Sequence, residues 1–208
     1  SSLRRTRLGE LAVLEHARQQ RLDLLAQLNA ELAGQGRRLQ RLKDDENQLM
    51  GLVDDLEQAL ANIPIPEDDR LRLNSRRGSL PWPTSGRLGS RFGAPRLGSL
   101  VWDGVMISAP EGEAVRAVHH GRVAYADWLR GFGLLLIVDH GDGYMTLYGH
   151  NQSLFKEPGD WVEADETIAL VGSSGGREQS GVYFGIRYQG RAVDPARWCR
   201  KTNRGNVG

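Results

Sequence analysis

Histidine and aspartate side chains in the central part of the chain are the groups best suited to bind a metal. Adjacent side chains on extended backbone point to opposite faces, so we do not expect His119 and His120 to share a metal. His140 opens a turn-forming His-Gly-Asp-Gly segment, where a surface position is expected. Asp103 is expected to be solvated. The other candidates are His150, Asp139 and Asp142, and together these residues give a weak signal for a metal site.

Net charge and cysteine content exclude several classes of function. Lys and Arg total 27 and Asp and Glu total 26, so the net charge of +1 gives no electrostatic case for a nucleic-acid or membrane-surface partner. The single cysteine, Cys199, excludes a disulfide within the chain, and we expect a small, partly buried residue there rather than a nucleophile. No apolar run approaches the roughly 20 residues that a membrane span needs. The polar opening from Ser1 to Arg5 indicates a fragment of a longer precursor.

A seven-residue repeat of apolar side chains runs through residues 8–61. One position of the repeat holds Leu11, Leu25, Leu32, Leu39, Val53 and Leu60, and the other holds Leu14, Leu28, Leu42, Leu49 and Leu56. A 3.5-residue period keeps one stripe facing a partner, so coiled-coil-type α-helices are predicted. Gly34 and Gly36 each cost about 1 kcal/mol relative to alanine in a helix, which predicts a break between helices over 3–33 and 37–61.

Short apolar runs between turn residues follow from residue 80 onward. They cover residues 114–118, 121–126, 133–138, 144–148, 167–171 and 182–188, and residues 140–143 are predicted to join two of them as a hairpin. The pattern predicts a mainly β domain over 80–208, with a sandwich or barrel-like core. Pro64 and Pro66 end the helical region, so residues 62–79 are predicted to form an irregular linker.

Ordered motifs across the β domain carry a family resemblance. They are Trp82-Pro83, Arg91-Phe92-Gly93, Ala109-Pro110-Glu111-Gly112, Leu147-Tyr148-Gly149-His150, Gly172-Ser173-Ser174-Gly175 and the strand from Ser180 to Arg187. From about Leu80 to Trp198 the sequence resembles the LytM domain of the M23 (lysostaphin-type) zinc endopeptidases. The resemblance implies a mainly β, LytM/M23-like sandwich or barrel domain, preceded by the coiled-coil-type helices.

The resemblance places the family's three zinc ligands at Trp102, Met106 and Tyr183. An indole has no free lone pair, a thioether is a soft ligand, and a neutral phenol coordinates zinc poorly. The family's two auxiliary histidines fall at Gly181 and His150. We therefore expect no catalytic residue, no bound metal and no cofactor. An active zinc endopeptidase is the alternative, which stoichiometric zinc in the purified chain would support.

The groove of such a domain would be lined here by aromatic, apolar and cationic side chains. Exposed patches of these residue types are typical of partner-binding sites. We predict that partner contacts come from Trp102, Met106, Phe132, Leu135, His150, Tyr183 and Arg187. The alternative is that these side chains fill the space left by the metal, and that His150 is structural.

A coiled coil followed by a LytM domain without zinc ligands resembles the EnvC-type murein hydrolase activators. The resemblance implies a non-enzymatic periplasmic protein at the division site of a Gram-negative bacterium. Its groove would bind a zinc-dependent N-acetylmuramoyl-L-alanine amidase by accepting that enzyme's autoinhibitory helix, and the FtsE–FtsX membrane complex would hold its coiled coil. A passive peptidoglycan-binding module is the other alternative, and no nucleic-acid partner is expected.

The predicted helix over 37–61 has an apolar face and is tethered next to the domain. It could occupy the groove of its own domain until the coiled coil is pulled. Alternatively, Leu42, Leu49, Val53 and Leu56 continue the coiled-coil seam. Removing residues 1–61 should strengthen amidase binding in the first case and leave it unchanged in the second.

Overall fold

The structure, a computed structural model, describes residues 2–61, 72–201 and 205–207. It divides into two compact units, Ser1–Lys43 and Asp44–Gly208. The division falls within a helix, whereas the sequence predicted a helical segment that ends at residue 61. Within the described ranges, no helix has the length and hydropathy that crossing a bilayer requires.

One continuous α-helix, α1, runs from Ser2 to Leu60. The predicted break at Gly34 and Gly36 is wrong. A Cβ atom at either glycine would meet nothing within 4 Å, so no close contact requires a glycine there. The two glycines cost about 2 kcal/mol together, but strong helix formers on both sides keep helix propagation favourable.

The Ser1–Lys43 unit exposes five apolar heptad positions of α1. Leu11, Leu14, Leu25, Leu28 and Leu32 are all exposed. A stripe of this kind is typical of a coiled-coil seam. The pairing of this seam stays a prediction.

The structure describes the last part of the predicted linker, residues 72–79. Residues 62–71, including Pro64 and Pro66, lie outside the described ranges. Further along, Leu73–Arg76 form a 3-10 helix that buries Leu73, so this part of the predicted irregular segment has regular structure. Leu80 then forms a parallel bridge with Cys199. Cys199 is buried, and burial raises the pKa of its thiol, which suits the inert role expected for it.

Short strands make up most of the second unit, in agreement with the predicted mainly β domain. The described strands are β1 (Gly86–Leu88), β2 (Pro95–Leu97), β3 (Leu100–Val101), β4 (Val105–Ser108), β5 (Ala114–Arg116), β6 (Gly121–Leu129), β7 (Gly133–Asp139), β8 (Tyr144–Leu154), β9 (Trp161–Val162), β10 (Thr167–Val171), β11 (Gly181–Tyr188), β12 (Arg191–Val193) and β13 (Asn206–Val207), with a second 3-10 helix at Pro195–Arg197. Each of the six predicted apolar runs contributes a strand.

Eleven of these strands form one sheet. Neighbouring strands follow the order β13-β1-β4-β11-β8-β7-β6-β9, while β10 pairs with β5 and β8, and β12 pairs with β11. Residues 140–143 connect the antiparallel pair β7 and β8, which confirms the predicted hairpin. The sheet places β4, β11, β8 and β7 side by side, so they share two common faces.

Alternation along these strands produces two apolar layers, because successive side chains of a strand point to opposite faces. On β11, Val182, Phe184 and Ile186 belong to the main core of the β unit, together with residues such as Trp82. Tyr183, between them, belongs to a second cluster on the other face. The second face is the one that carries the predicted groove residues.

The C-terminal part of α1 covers this second face. Residues 44–60 belong to the same compact unit as the sheet. Leu49 and Val53 are fully buried in a cluster with Met106, Leu129, Phe132, Leu135, Ile137, Met145, Leu147 and Tyr183, and Leu52, Leu56 and Leu60 pack at its margin. Burying a side chain of this size contributes about 1.5–3 kcal/mol relative to exposing it. The helix is therefore held on the sheet mainly by the apolar anchors Leu49 and Val53.

Candidate partner-binding groove

The structure brings most of the predicted groove residues onto the face under α1. Met106, Phe132, Leu135 and Tyr183 are buried in the helix-covered cluster, and Trp102 packs against it. The sequence predicted an exposed apolar patch, whereas these side chains are covered by the chain's own helix. The prediction that they contact a partner protein stays a prediction.

Tyr183 lies at the centre of this face and needs two glycines to fit. A Cβ atom at Gly104 would lie 2.7 Å from the Tyr183 ring, and one at Gly185 would lie 3.1 Å from its hydroxyl oxygen. Real Cβ atoms rarely approach other heavy atoms so closely. Gly104 and Gly185 therefore leave the space that the Tyr183 side chain occupies. The contribution of Gly104 had no signal in the sequence.

Asp103 links Tyr183 to Arg187, contrary to the expectation that it is solvated. Its Oδ1 accepts a hydrogen bond from the Tyr183 hydroxyl at 2.8 Å, and its Oδ2 is paired with Nη2 of Arg187. The Arg187 side chain is 5% exposed and that of Asp103 is 23% exposed. Burial raises the pKa of Tyr183 well above its usual value, and the Asp103 charge adds to this. Tyr183 is therefore a neutral hydrogen-bond donor.

His150 makes structural hydrogen bonds within the domain, and its contact with a partner stays a prediction. It is buried, and it has a left-handed backbone conformation with φ of 64°. Its Nδ1 donates to the carbonyl oxygen of Ser174 at 2.9 Å, and its backbone N–H donates to the carbonyl oxygen of Phe132 at 2.7 Å. Burial lowers the pKa of His150 to about 4, so the ring is neutral at pH 7. From within β8, the residue is thus hydrogen-bonded to two segments outside the strand, at Phe132 and Ser174.

The remaining histidines differ from their sequence expectations. His140 is buried, not at the surface: its Nδ1 donates to the His120 carbonyl oxygen at 2.6 Å and its Nε2 lies 2.7 Å from Oγ1 of Thr146. Residues 119 and 120 lie outside the strands, so their rings do not point to opposite faces but lie 4.3 Å apart between centroids. Among the described residues, no group of three His, Cys, Asp or Glu side chains could hold a metal ion.

The positions that the resemblance aligns with zinc ligands do not suit zinc. Met106 and Tyr183 are partners in the β4–β11 ladder, and both side chains lie in the apolar cluster. The Tyr183 hydroxyl already donates to Asp103. The Trp102 ring lies under the Arg96 guanidinium group, whose carbon is 4.5 Å from the ring centroid. A thioether, a protonated phenol and an indole that faces a cation offer no ligand set for zinc.

Two charged contacts at one end of the covered face were missed from the sequence. Arg130 Nε donates to Asp45 Oδ1 at 2.7 Å, and Arg96 Nη1 donates to Glu46 Oε1 at 3.4 Å. Burial raises the pKa of Glu46, with Asp103 adding to the effect and Arg96 opposing it. Contacts of this type join residues far apart in the chain, so sequence periodicity gives no signal for them.

At the other end of the face, α1 passes close to Gly190. A Cβ atom at Gly190 would lie 3.2 Å from Asp54 Oδ1 and 3.5 Å from Glu57 Oε2. The covered face therefore extends from the turn at Arg130, beside Asp45, to the β11–β12 turn, beside Glu57. These two contacts are separated by 12 residues of α1, which is about 18 Å at the rise of an α-helix.

Comparison with known proteins agrees with this architecture. The sequence pattern of peptidase family M23 matches residues 100–195. The chain is 48% identical over 126 residues to the murein hydrolase activator EnvC of Escherichia coli, and 38% identical over 118 residues to the murein hydrolase activator NlpD of the same species. These matches cover 61% and 56% of this chain. The matched region spans 30% of the length of each relative.

The fold is also found among solved structures. A zinc containing peptidase from Vibrio cholerae has a TM-score of 0.53 and 22% sequence identity, and the match covers 57% of this chain and 39% of that one. At this identity the likeness concerns the fold alone. The sequence resemblance to M23 domains and the mainly β fold are both confirmed. Residues 100–195 are therefore similar to the domain of peptidase family M23, and the sequence is similar to those of the murein hydrolase activators EnvC and NlpD.

Proposed function

We propose that this chain is a non-enzymatic activator of peptidoglycan hydrolases, and that its direct partner is a zinc-dependent N-acetylmuramoyl-L-alanine amidase. The observation that carries the proposal is the helix-covered face of the M23 domain. Its side chains at the aligned ligand positions, Met106 and Tyr183, pack against apolar neighbours. The names of the EnvC and NlpD relatives support the activator role.

In the proposed mechanism, the helix-covered face is the groove that binds the autoinhibitory helix of the amidase. The face already accommodates an amphipathic helix, since Leu49 and Val53 of α1 are fully buried on it. Helix-in-groove recognition uses apolar anchors at this i, i+4 spacing. An amidase whose inhibitory helix binds here is held in its open state. The population shift cannot exceed the difference in affinity between the open and closed amidase.

Residues 44–60 of α1 inhibit this binding, because they occupy the same face. Release requires that the apolar contacts of Leu49 and Val53 break. A pull on the exposed heptad positions of the Ser1–Lys43 unit would supply that signal, and the FtsE–FtsX membrane complex is the proposed source. The proposed setting is the periplasm of a Gram-negative cell at the division site, where amidase activity separates daughter cells. The names of the curated relatives support a location in the cell envelope.

Release of dye from labelled peptidoglycan tests this function. The assay compares the chain alone, a candidate amidase alone and the two together, with the wild-type chain and with a Val53→Asp variant that disfavours helix docking. We expect release by the mixtures, and faster release with the variant. Release by the chain alone would support an active endopeptidase instead. Retention of the chain on purified peptidoglycan, with no effect on the amidase, would support a passive binding module.

A further inference from the structure

The turn formed by Arg130 and Gly131 receives a carboxylate from α1. Arg130 Nε donates to Asp45 Oδ1 at 2.7 Å, and the Asp45 side chain is 14% exposed. Gly131 has a φ of +83°, and a Cβ atom there would lie 2.6 Å from Asp45 Oδ2 and 2.7 Å from its Cγ. The absence of a side chain at Gly131 therefore leaves the space that the carboxylate occupies.

A second cation lies beside this end of the groove. Arg96 Nη1 is 3.4 Å from Glu46 Oε1, and both side chains are about four-fifths buried, with 17% and 21% exposed. The Arg96 guanidinium group also faces the Trp102 ring. Two cations thus meet two adjacent acids of the same helix, at one end of the covered face.

The acidic contact and the apolar contacts have a fixed spacing along α1. Asp45 precedes Leu49 by four residues, and Leu49 precedes Val53 by four residues. Residues at this spacing lie on one side of a helix, one turn apart. A helix that binds the groove in this orientation therefore brings an acid to Arg130 when its first apolar anchor takes the position of Leu49.

We propose that Arg130 and Gly131, supported by Arg96, form an acid-binding subsite at one end of the groove. The partner that replaces α1 presents a helix with an aspartate or glutamate one turn ahead of two apolar anchors. This inference rests on the proposed function, because it describes the helix that takes over the groove. A neutral helix at this position would leave the largely buried Arg96 without its acidic partner, and a basic helix would be repelled by Arg130 and Arg96. The subsite selects among amphipathic helices by charge.

A synthetic peptide with the sequence of residues 44–60 tests the subsite without any amidase. The full chain carries Leu49→Asp and Val53→Asp, so that its own helix leaves the groove. We expect saturable binding of the labelled peptide, about tenfold weaker binding when the peptide carries Asp45→Lys, and recovery when the chain carries Arg130→Asp. Equal affinities of the two peptides for the chain without Arg130→Asp would overturn the subsite.

The same open chain tests the partner. Binding of a candidate amidase is measured with and without Arg130→Glu, and the matched control is Arg87→Glu, which makes the same charge change at an exposed position of β1. We expect at least about fivefold weaker binding for Arg130→Glu and no change for Arg87→Glu. Amidase binding that withstands Arg130→Glu but is abolished by Tyr183→Glu would overturn the acid preference and keep the proposed function.

Two results would overturn the proposed function. One is amidase binding that withstands both Arg130→Glu and Tyr183→Glu, and the other is no amidase binding to the open chain. In either case the peptide measurement still decides whether the acid-binding subsite exists. Circular dichroism and thermal unfolding check that the open chain retains its β domain. Should the double aspartate variant not fold, Leu49→Ala with Val53→Ala replaces it in both measurements.

Discussion

The Tyr183 hydroxyl donates a hydrogen bond to Asp103 Oδ1 at 2.8 Å, and the other carboxylate oxygen of Asp103 is paired with Arg187. This link joins β11 to the segment before β4, at the centre of the helix-covered face. It gives Asp103 the role of a counter-charge for a guanidinium group that is almost fully buried. Two of its three members, Tyr183 and Arg187, were predicted as groove residues, and Asp103 was not.

Removing Asp103 should destabilise the domain more than removing the Tyr183 hydroxyl. Asp103→Ala leaves the Arg187 guanidinium group buried without its counter-charge, which costs about 3–5 kcal/mol in the free energy of unfolding. Tyr183→Phe removes one hydrogen bond and should cost about 1 kcal/mol. Urea denaturation followed by tryptophan fluorescence measures both. Equal losses for the two variants would contradict the role assigned to Asp103.

Val53→Asp should release residues 44–60 from the sheet. It places an unpaired carboxylate in an apolar cluster, at a cost of several kcal/mol, so the docked population falls by about a hundredfold or more. Hydrogen exchange of residues 44–60 and of β7 should become faster, while the main core stays protected. Gln58→Asp introduces the same side chain at an exposed position of the helix and is the matched control. Unchanged exchange in Val53→Asp would show that Val53 does not hold the helix.

Gly131→Ala should weaken the docking of α1 at its Asp45 end. The new Cβ atom would collide with the Asp45 carboxyl group, and the left-handed backbone adds about 1–2 kcal/mol of strain. Gly78→Ala is the control, since Gly78 has a φ of +82° and open space around it. Hydrogen exchange of residues 44–48 should become faster in Gly131→Ala than in Gly78→Ala. Equal exchange in the two variants would rule out the close contact.

Stability should fall as the pH drops below about 6.5, because His140 and His150 are buried in neutral form. Burial lowers the pKa of His140 to about 3 and that of His150 to about 4. Each histidine binds fewer protons in the folded chain than in the unfolded chain, so unfolding takes up protons throughout this range. The stability that neutral His150 contributes should be fully lost near pH 4, and the stability that neutral His140 contributes should be fully lost near pH 3.

Urea denaturation at several pH values between 7.5 and 4 measures this dependence. His150→Gln should make the loss of stability with falling pH less steep, since one of the two imidazoles whose pKa is lowered by burial is gone. His16→Gln makes the same replacement at an exposed helix position and serves as the control. The same slope in His150→Gln and wild type would contradict the neutral, buried state of His150.

Replacing Gly34 and Gly36 by alanine should stabilise α1. Neither new Cβ atom would meet a neighbour within 4 Å, and each change favours the helix by about 1 kcal/mol. Thermal melting followed by circular dichroism at 222 nm should show more helix in the double alanine variant than in wild type at the temperature where wild-type α1 begins to melt. A loss of helix would indicate that the glycines are needed for a contact, such as the coiled-coil pairing that was predicted.

The sequence by itself indicated most of the longer elements and the resemblance to peptidase family M23. Its heptad repeat predicted helix, and its short apolar runs predicted the strands β5, β6, β7, β8, β10 and β11, because periodicity and turn chemistry act over a few residues. Its motifs indicated the resemblance to M23 domains. The local cost of Gly34 and Gly36 gave a wrong helix break, since cooperative propagation along α1 outweighs two unfavourable residues.

The tertiary structure alone decided how these elements meet. Heptad positions such as Leu49 and Val53 fit a coiled-coil seam and a groove-bound helix equally well, and the choice depends on which apolar face lies nearby. Likewise, pairing of Asp103 with Arg187 and of Asp45 with Arg130 joins residues more than 80 positions apart. Such contacts depend on the register of the sheet and the position of α1, and no local pattern encodes them.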